Sequence, residues 1–210
     1  MYRSSAYPAV TPAQIDQFVL ENFHGKCIAV DPEGYPVVSL LPFQYYPSSD
    51  PNIPSRFDLH LVQDDTTFQA LQSHPQCTFL IDQPLAFTPH DLVDPEYAGN
   101  ATLHFRAAVF YCHAETITAP DQVAQVLDNL VHHYEPDKSF HPVTDTSYYH
   151  DDLSRLGIAR LTVVRFEAKF KLAQGRSPEG KKALSQFLEQ RNLPMDATAL
   201  AEMRKAWANL

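Results

Sequence analysis

Hydrophobic and polar residues alternate with a period of two over the last strand-like segment of the chain. Val164, Phe166 and Leu172 fall on one set of alternate positions, whereas Arg165 and Lys169 fall on the other. Successive side chains of a β-strand point to opposite faces of the sheet. The pattern therefore predicts a strand with one face in the core and one charged face.

Five further segments show strand-like patterns. Lys26–Val30 and Tyr35–Leu41 are β-prone runs separated by a turn with proline and glycine, which predicts a β-hairpin. Phe57–Val62, Cys77–Ile81 and Leu103–Thr116 each predict one more strand. The chain is therefore expected to contain a sheet of several strands.

Helix-start signals fall before, between and after these strands. Thr11 is followed by proline and by Gln14, which is the pattern of a capped helix start. The predicted helices begin near Thr11, Thr66, Thr118, Asp145, Ser177 and Pro194. Gln83–Asn100 has little periodicity and many turn-forming residues, so it is predicted to be a long loop. Together these elements indicate a β-rich α+β fold, a barrel or sandwich with peripheral helices.

The composition restricts the classes of protein that the chain can represent. The 210 residues carry a formal net charge of -9, which would repel the phosphate backbone of nucleic acids, so direct DNA binding is not favoured. The sequence has no apolar run of about 18 residues and no apolar N-terminal stretch of the secretory kind. We therefore expect a cytoplasmic protein that does not enter a membrane.

Cysteine and histidine residues give little support for catalytic or metal chemistry. Cys27, Cys77 and Cys112 lie in apolar strand-like segments, and their odd number argues against a disulfide framework. They are predicted to be buried, reduced thiols; a catalytic cysteine is the alternative, and it would need a nearby base. His132 and His133 are adjacent on a predicted helix and therefore diverge. No metal site is predicted.

The segment Glu167-Ala-Lys-Phe-Lys-Leu-Ala-Gln174 resembles the motif that ends the barrel in PaiB-type proteins, a family of FMN-binding negative transcriptional regulators. The order of the predicted elements agrees with this family from Tyr7 to Arg191. The resemblance implies a split β-barrel of the Greek-key, FMN-binding type, related to the pyridoxamine phosphate oxidases. It also implies a split-barrel domain over residues 1–176 and a C-terminal helical extension over 177–210 that packs on the same domain.

The resemblance further implies a homodimeric flavoprotein with a regulatory or minor oxidoreductase role. FMN, or a similar anionic aromatic ligand, would bind at the dimer interface to polar side chains of paired strands, of the short helix after them and of the final motif. The implied cofactor-binding residues are Ser39, His60, Gln63, Thr66, Thr67, Arg106, Lys169, Lys171 and Gln174. No catalytic residue is identified; an enzyme of this kind would be an FMN-dependent oxidoreductase.

One segment departs from the family pattern. Where the family has a basic residue followed by Asn, this chain has Gln63, Asp64 and Asp65. Like charges at close range cost on the order of 1 kcal/mol or more once they are partly desolvated, so the two carboxylates oppose a phosphate group. Two interpretations stay open: a flavin-binding protein in which Arg106 supplies the missing charge, and a cofactor-free dimeric interaction protein that has lost the phosphate site. A DNA-binding repressor is a third and less favoured interpretation.

Overall fold

A computed structural model of the chain describes residues 7–50, 52–92, 94–144 and 146–208. Within these residues the chain forms seven β-strands, six α-helices and two short 3₁₀ helices. The strands are β1 (His24–Val30), β2 (Pro36–Pro42), β3 (Gln44–Tyr46), β4 (Arg56–Val62), β5 (Gln76–Thr88), β6 (Thr102–Ile117) and β7 (Leu156–Lys171). The α-helices are α1 (Pro12–Leu20), α2 (Thr66–Ser73), α3 (Pro120–Tyr134), α4 (His150–Leu153), α5 (Pro178–Arg191) and α6 (Asp196–Ala208), and the 3₁₀ helices are His90–Leu92 and Ala98–Asn100.

The seven strands form one sheet in the order β2-β1-β5-β6-β7-β4-β3. β1 pairs with β2 and β5, and β4 pairs with β3 and β7, in each case antiparallel. β4 precedes β5 in the chain and yet pairs with β7, so the sheet requires a long connection of the kind found in Greek-key proteins. The predicted β-rich α+β class is confirmed.

The described residues divide into two compact units. Unit 1 comprises residues 7–15, 82–108 and 167–208, and unit 2 comprises residues 16–81 and 109–166. The strands β5, β6 and β7 each contribute residues to both units. The division at residue 176 that the family resemblance implies stays a prediction.

The core of unit 2 is built on aromatic side chains. The ring centroid of Phe57, which is fully buried, lies 5.5 Å from that of Phe43 and 5.0 Å from that of Phe110. Both pairs meet edge to face, a geometry that stabilises beyond the burial of apolar area. Gly157 faces the ring of Phe68 so closely that a Cβ atom would lie 2.4 Å from it. Only glycine permits this approach of strand and ring.

The core of unit 1 is aliphatic. Its buried side chains come from β5, from the residues after β7 and from the two C-terminal helices, and they include Leu85, Leu172, Leu184 and Met203. Trp207 packs against this cluster, and its Nε1 donates a hydrogen bond of 2.8 Å to the carbonyl oxygen of Leu172. This bond fixes α6 to the segment that follows β7.

β5 is longer than predicted. The sequence pattern predicts a loop over Gln83–Asn100, but the strand continues to Thr88, so the prediction is wrong for its first six residues. Odd-numbered positions from Cys77 to Ile81 are buried in unit 2, whereas Ala86 and Thr88 are buried in unit 1. Leu85 is buried as well, so burial changes from alternate positions to the adjacent pair Leu85 and Ala86, and this change conceals the period of two.

The predicted core face of β7 is wrong at two positions. Val164 is 71% exposed and Phe166 is 42% exposed, although the strand itself is present. Further along the same set of positions, Leu172 is buried. Alternation shows which side chains share a face of a strand, and it does not show how much of that face a core covers.

Two helices differ from their predicted bounds. The helix predicted over Asp145–Leu156 is reduced to α4, and Asp145 lies outside the described residues. α3 has Ala119 rather than Thr118 as its N-cap residue, and no side chain caps it. In the part of the chain that the structure describes, no helix combines the length and apolar character that crossing a bilayer requires.

Candidate functional site

The N-terminus of α2 is occupied by a side chain of the protein itself. Asp65 is the N-cap residue, and its Oδ1 accepts hydrogen bonds from the backbone N–H groups of Thr67 and Phe68 at 2.8 and 3.3 Å. The Ser39 hydroxyl donates to the same carboxylate at 3.2 Å and lies 2.8 Å from the hydroxyl of Thr67. The amides at a helix N-terminus are groups that bind anions, and here an aspartate binds them.

The surroundings of Asp65 do not fit the phosphate of FMN. Nε2 of Gln63 donates a hydrogen bond of 2.8 Å to the carbonyl oxygen of Leu156, while Asp64 and Thr66 are exposed. A phosphate at this end would have to displace the Asp65 carboxylate from the amides and would be repelled by its charge. The predicted residues Ser39 and Thr67 are therefore brought together around an aspartate.

His60 lies in β4, opposite Ile158 of β7. Its Nδ1 is buried and has no hydrogen-bond partner among the described residues. Burial lowers the pKa of this half-buried ring, so His60 is neutral at physiological pH. It offers a hydrogen-bonding atom rather than a charge.

Unit 1 contains a cleft of about 490 Å³ that is rich in basic and hydroxyl groups. It is lined by Tyr7, Gly99, Asn100, Thr102, His104, Lys171, Ala173, Gly175, Arg176, Ser177 and Gly180. None of these described lining residues is Asp or Glu, although the chain has a net charge of -9. The volume falls within the range of about 300–1,000 Å³ that is typical of ligand sites. We call this site the basic cleft.

The turn from β7 to α5 positions the two basic side chains of the basic cleft. β7 ends at Lys171, and Ala173 adopts a left-handed backbone conformation with a φ of 59°. Oε1 of Gln174 accepts a hydrogen bond of 2.8 Å from the N–H of Leu172, and its Nε2 donates to a strand carbonyl at 2.7 Å. Gln174 thus uses both ends of its amide to hold the turn that leads to Arg176.

α5 begins at the edge of the basic cleft. Ser177 is its N-cap residue, and the serine hydroxyl accepts a hydrogen bond of 3.1 Å from the N–H of Gly180. Pro178 occupies the first helical position, where its missing N–H breaks no helical bond. The N-terminal end of a helix carries a partial positive charge, so α5 adds to the positive potential of Lys171 and Arg176.

β6 contributes a threonine and a buried histidine to the basic cleft. Nζ of Lys171 donates a hydrogen bond to the hydroxyl of Thr102. His104 is 1% exposed, and its Nε2 lies 3.1 Å from the hydroxyl of Thr88. Its Nδ1 forms no hydrogen bond of normal geometry with any described residue. A backbone hydrogen bond between the ring and Lys171 nevertheless acts on the pKa of His104, so the end of β7 lies beside this imidazole.

The basic cleft disfavours the charged forms of its own basic groups. Burial lowers the pKa of Lys171, and the positive charges of Lys169 and Arg176 lower it further. Burial also lowers the pKa of Arg176. For His104, burial and the charge of Arg176 lower the pKa to about 4, although a backbone hydrogen bond with Lys171 raises it. An anion bound in the basic cleft would stabilise the two cations.

Arg106 and Lys169 have partners within unit 1. Nη1 of Arg106 lies 3.0 Å from the carboxylate of Glu202, while its Nε and Nη2 donate to Gln83 at 2.9 and 2.7 Å. Nζ of Lys169 lies 5.0 Å from the ring centroid of Tyr7, which lines the basic cleft. The charge of Arg106 is therefore compensated by a carboxylate. Lys169 makes a cation–π contact with Tyr7, and Tyr7 is a lining residue of the cleft.

Of the predicted contact residues, all of them in the described part of the chain, Lys171 alone lines the basic cleft. His104, Thr102 and Arg176 line it as well and were not predicted as contacts. Arg176 could have been predicted from the sequence, because it directly precedes the capped start of a helix. His104 and Thr102 could not have been predicted, since the pairing of distant segments decides which strand reaches the cleft.

The three cysteines are buried free thiols of unit 2, as predicted. A hydrogen bond with the Cys77 thiol, together with burial, raises the pKa of Cys27 and the pKa of Cys112. A thiol with a raised pKa stays protonated at neutral pH and is a weak nucleophile. These two residues therefore do not fit the alternative of a catalytic cysteine.

Solved structures of other proteins share this fold. A conserved hypothetical protein from Mycobacterium tuberculosis has a TM-score of 0.59 at 14% identity, covering 84% of this chain and 94% of that one. An FAD and heme binding protein from Mycobacterium smegmatis has a TM-score of 0.56 at 13% identity, covering 78% and 72%. A flavocytochrome from Azotobacter vinelandii has a TM-score of 0.52 at 17% identity, covering 77% and 72%. The fold is a split β-barrel of the FMN-binding type, as predicted.

Residues 1–166 match the profile of the family described as "Putative FMN-binding domain". This match spans more than half of the chain, and the protein belongs to this family. No curated protein sequence matches the chain significantly. The family match defines an FMN-binding domain and does not single out the PaiB-type regulators.

Proposed function

We propose that the protein is a PaiB-like split-barrel homodimer that binds FMN, or a similar anionic aromatic ligand, in a regulatory or minor oxidoreductase role. The observation that carries this proposal is the basic cleft, where Lys171 and Arg176 lie together and no described lining residue is a carboxylate, in a chain of net charge -9. Membership of an FMN-binding domain family supports FMN as the ligand.

The residues of the basic cleft fit FMN in charge and in hydrogen bonding. Lys171 and Arg176 would hold its phosphate by charge-assisted hydrogen bonds, and the hydroxyls of Thr102 and Ser177 are further polar partners. Tyr7 provides an aromatic ring. Bound FMN would supply electron-transfer chemistry, whereas the chain supplies binding, orientation and electrostatics.

Exposed apolar side chains of unit 2 support the homodimer. Val164 and Phe166 on β7 are 71% and 42% exposed, and Val38 and Leu40 on β2 are 58% and 62% exposed. Apolar groups that solvent would otherwise contact are typical of the centre of protein interfaces. We expect a second copy of the chain to cover at least one of these strand surfaces.

A titration of FMN tests the ligand. The protein, freed of any bound small molecule, is added to FMN while flavin fluorescence is followed, and we expect quenching with a Kd in the micromolar range or below. The visible spectrum of the protein as purified is an independent measurement, because bound flavin colours a protein yellow. A colourless protein that leaves FMN fluorescence unchanged would overturn the proposal.

A cofactor-free interaction protein is the second candidate, and Asp65 is the observation that favours it, because its carboxylate occupies the amides of α2. The double variant Asp64→Lys/Asp65→Asn separates the two candidates, since asparagine keeps a good N-cap while it removes the charge. If the double variant binds flavin and the wild type does not, the carboxylates of Asp64 and Asp65 block the phosphate site at α2 in the wild type. Absence of binding in both proteins would support the cofactor-free candidate.

Direct DNA binding is not part of the proposal, because the net charge of -9 opposes contacts with phosphates. A regulatory role would then act through the ligand or through another protein. Gel-shift measurements at low salt test this point. Retardation of a genomic fragment would restore the DNA-binding repressor as a candidate.

A further inference from the structure

The three cysteines of the chain lie on three neighbouring strands of the sheet. Cys27 is in β1, Cys77 in β5 and Cys112 in β6, and β5 lies between the other two strands. All three belong to unit 2, and their side chains are 0%, 8% and 4% exposed. The sheet therefore gathers the thiols of distant segments in the core of one unit, with Cys77 in the middle.

The pairing of β5 with β6 places Cys77 opposite Cys112. The N–H of Ala114 donates a hydrogen bond of 2.7 Å to the carbonyl oxygen of Pro75, and the two strands are antiparallel. Two residues from this bond, forward along β5 and backward along β6, Cys77 and Cys112 face each other. Cα atoms of opposite residues are about 4.5–5.5 Å apart, which lies within the range of about 4.4–6.8 Å found in disulfides.

Cys27 is less well placed to pair with Cys77. The residue of β5 opposite Cys27 is Phe79, so Cys27 and Cys77 are diagonal neighbours on the two strands. Diagonal neighbours in an antiparallel pair are about 7–8 Å apart, which is more than a disulfide spans. The register therefore singles out Cys77 and Cys112 as the pair that can be joined.

The environment of Cys77 favours its thiolate. Hydrogen bonds with the thiols of Cys112 and Cys27 lower the pKa of Cys77, and an electrostatic interaction with His113 lowers it further, although burial raises it. The thiolate is the nucleophilic form of cysteine. Cys77 is also the most exposed of the three cysteines, so a small oxidant reaches this sulfur most easily.

We propose that Cys77 and Cys112 form an oxidative modification site, in which a hydroperoxide converts the two thiols to one disulfide within the chain. The Cys77 sulfur attacks a peroxide oxygen, the O–O bond breaks, and Cys77 becomes a sulfenic acid while an alcohol, or water from hydrogen peroxide, is released. The Cys112 sulfur then attacks the sulfenic sulfur, and the departing hydroxide takes the thiol proton as water. The thiols lose two electrons, which the peroxide gains. This inference uses no residue of the basic cleft and goes beyond the proposed function.

Thiol counting on the wild-type protein tests the pair. The folded protein is treated with hydrogen peroxide, its free thiols are counted after denaturation, and mass spectrometry of a digest identifies the linked peptides. We expect two of the three free thiols to be lost, with Cys77 linked to Cys112 in the same chain and Cys27 still free. The protein unfolded in urea before treatment should give a mixture of pairings, because the strands no longer set the register.

Serine variants assign the roles of the individual thiols. Cys27→Ser is the matched control, since it removes a buried thiol of the same group and leaves the proposed pair. Its disulfide should form within about twofold of the wild-type rate. Cys112→Ser should stop at the sulfenic acid of Cys77, which dimedone traps. Cys77→Ser should lose thiols at least about tenfold more slowly than the wild type.

Four results would overturn the inference. They are a Cys27–Cys77 linkage in the folded wild type, a disulfide between two chains, equal rates of thiol loss in all variants, and three intact thiols under conditions that oxidise free glutathione. Where circular dichroism shows that a serine variant is misfolded, the comparison of folded with unfolded wild type decides alone. The same mixture of pairings in both would then exclude a site built by the fold.

Discussion

Acid should destabilise unit 1 through His104, and the size of the effect follows from the change in its pKa. Burial lowers this pKa from 6.5 to about 4. The unfolded chain then binds the proton more tightly than the folded chain, so the stability is complete above about pH 6.5 and is lost as the pH falls towards 4. Each tenfold difference in proton affinity corresponds to about 1.4 kcal/mol, which gives about 3 kcal/mol in full, and most of it is already lost at pH 4.5.

The single tryptophan of the chain makes this loss measurable. Trp207 belongs to unit 1 and packs against its core, so urea unfolding followed by tryptophan emission reports on the unit that contains His104. Between about pH 7.5 and pH 4.5, the free energy of unfolding of the wild type should fall by about 2–3 kcal/mol more than that of His104→Gln. His90→Gln, which removes a half-buried histidine of the same unit, should behave as the wild type does. The buffers contain no phosphate, because a bound anion would stabilise the folded state.

Parallel losses in the wild type and in His104→Gln would refute the reasoning. They would mean that His104 binds a proton equally well in the folded and the unfolded chain, and hence that its burial has no electrostatic consequence. The difference between the two proteins is the informative quantity, because carboxylates and other histidines also titrate in this range and their contributions cancel.

Three further changes test the capping, the packing and the proposed interface. Asp65→Ala should destabilise unit 2 by about 1–2 kcal/mol in urea, because α2 loses its N-cap, and Asp65→Asn should cost less than half as much; equal losses would contradict the capping role. Gly157→Ala should cost about 1–3 kcal/mol, since the new methyl group overlaps the buried ring of Phe68, and an unchanged urea midpoint would show that the ring moves aside freely. Val164→Glu with Phe166→Glu should convert a dimer to a monomer in sedimentation, with unchanged circular dichroism; a persistent dimer would exclude this surface from the interface.

Elements of the fold could be predicted where a local rule decides the structure. The short helix over Thr66–Ser73 and the helix start at Ser177 were found as predicted, because capping residues and proline act within one turn. The run over Gln83–Asn100 failed as a loop prediction because burial changes there from alternate positions to the adjacent pair Leu85 and Ala86. No local pattern records that change, since it depends on which segment packs against each side.

The candidate site was predictable only as far as charge and motif allow. The sequence shows that Asp65 opposes a phosphate at α2, but its hydrogen bond with Ser39 depends on the placement of β2 beside α2. Lys171 was identified through a family motif, and it lines the basic cleft. His104 looks like any histidine of an amphipathic strand. Its burial beside Thr88 and Lys171 depends on how β6, β5 and the end of β7 pack in unit 1.

The basic cleft is assembled from three stretches of chain that are far apart in sequence. Tyr7 comes from the first, residues 99–104 from the second and residues 171–180 from the third. During synthesis the site can therefore exist only after α5 has left the ribosome, and no shorter nascent chain can bind the ligand through all three stretches. A ligand held there would stabilise finished chains over partial ones, so its supply would influence how many copies survive proteolysis as well as what each copy does.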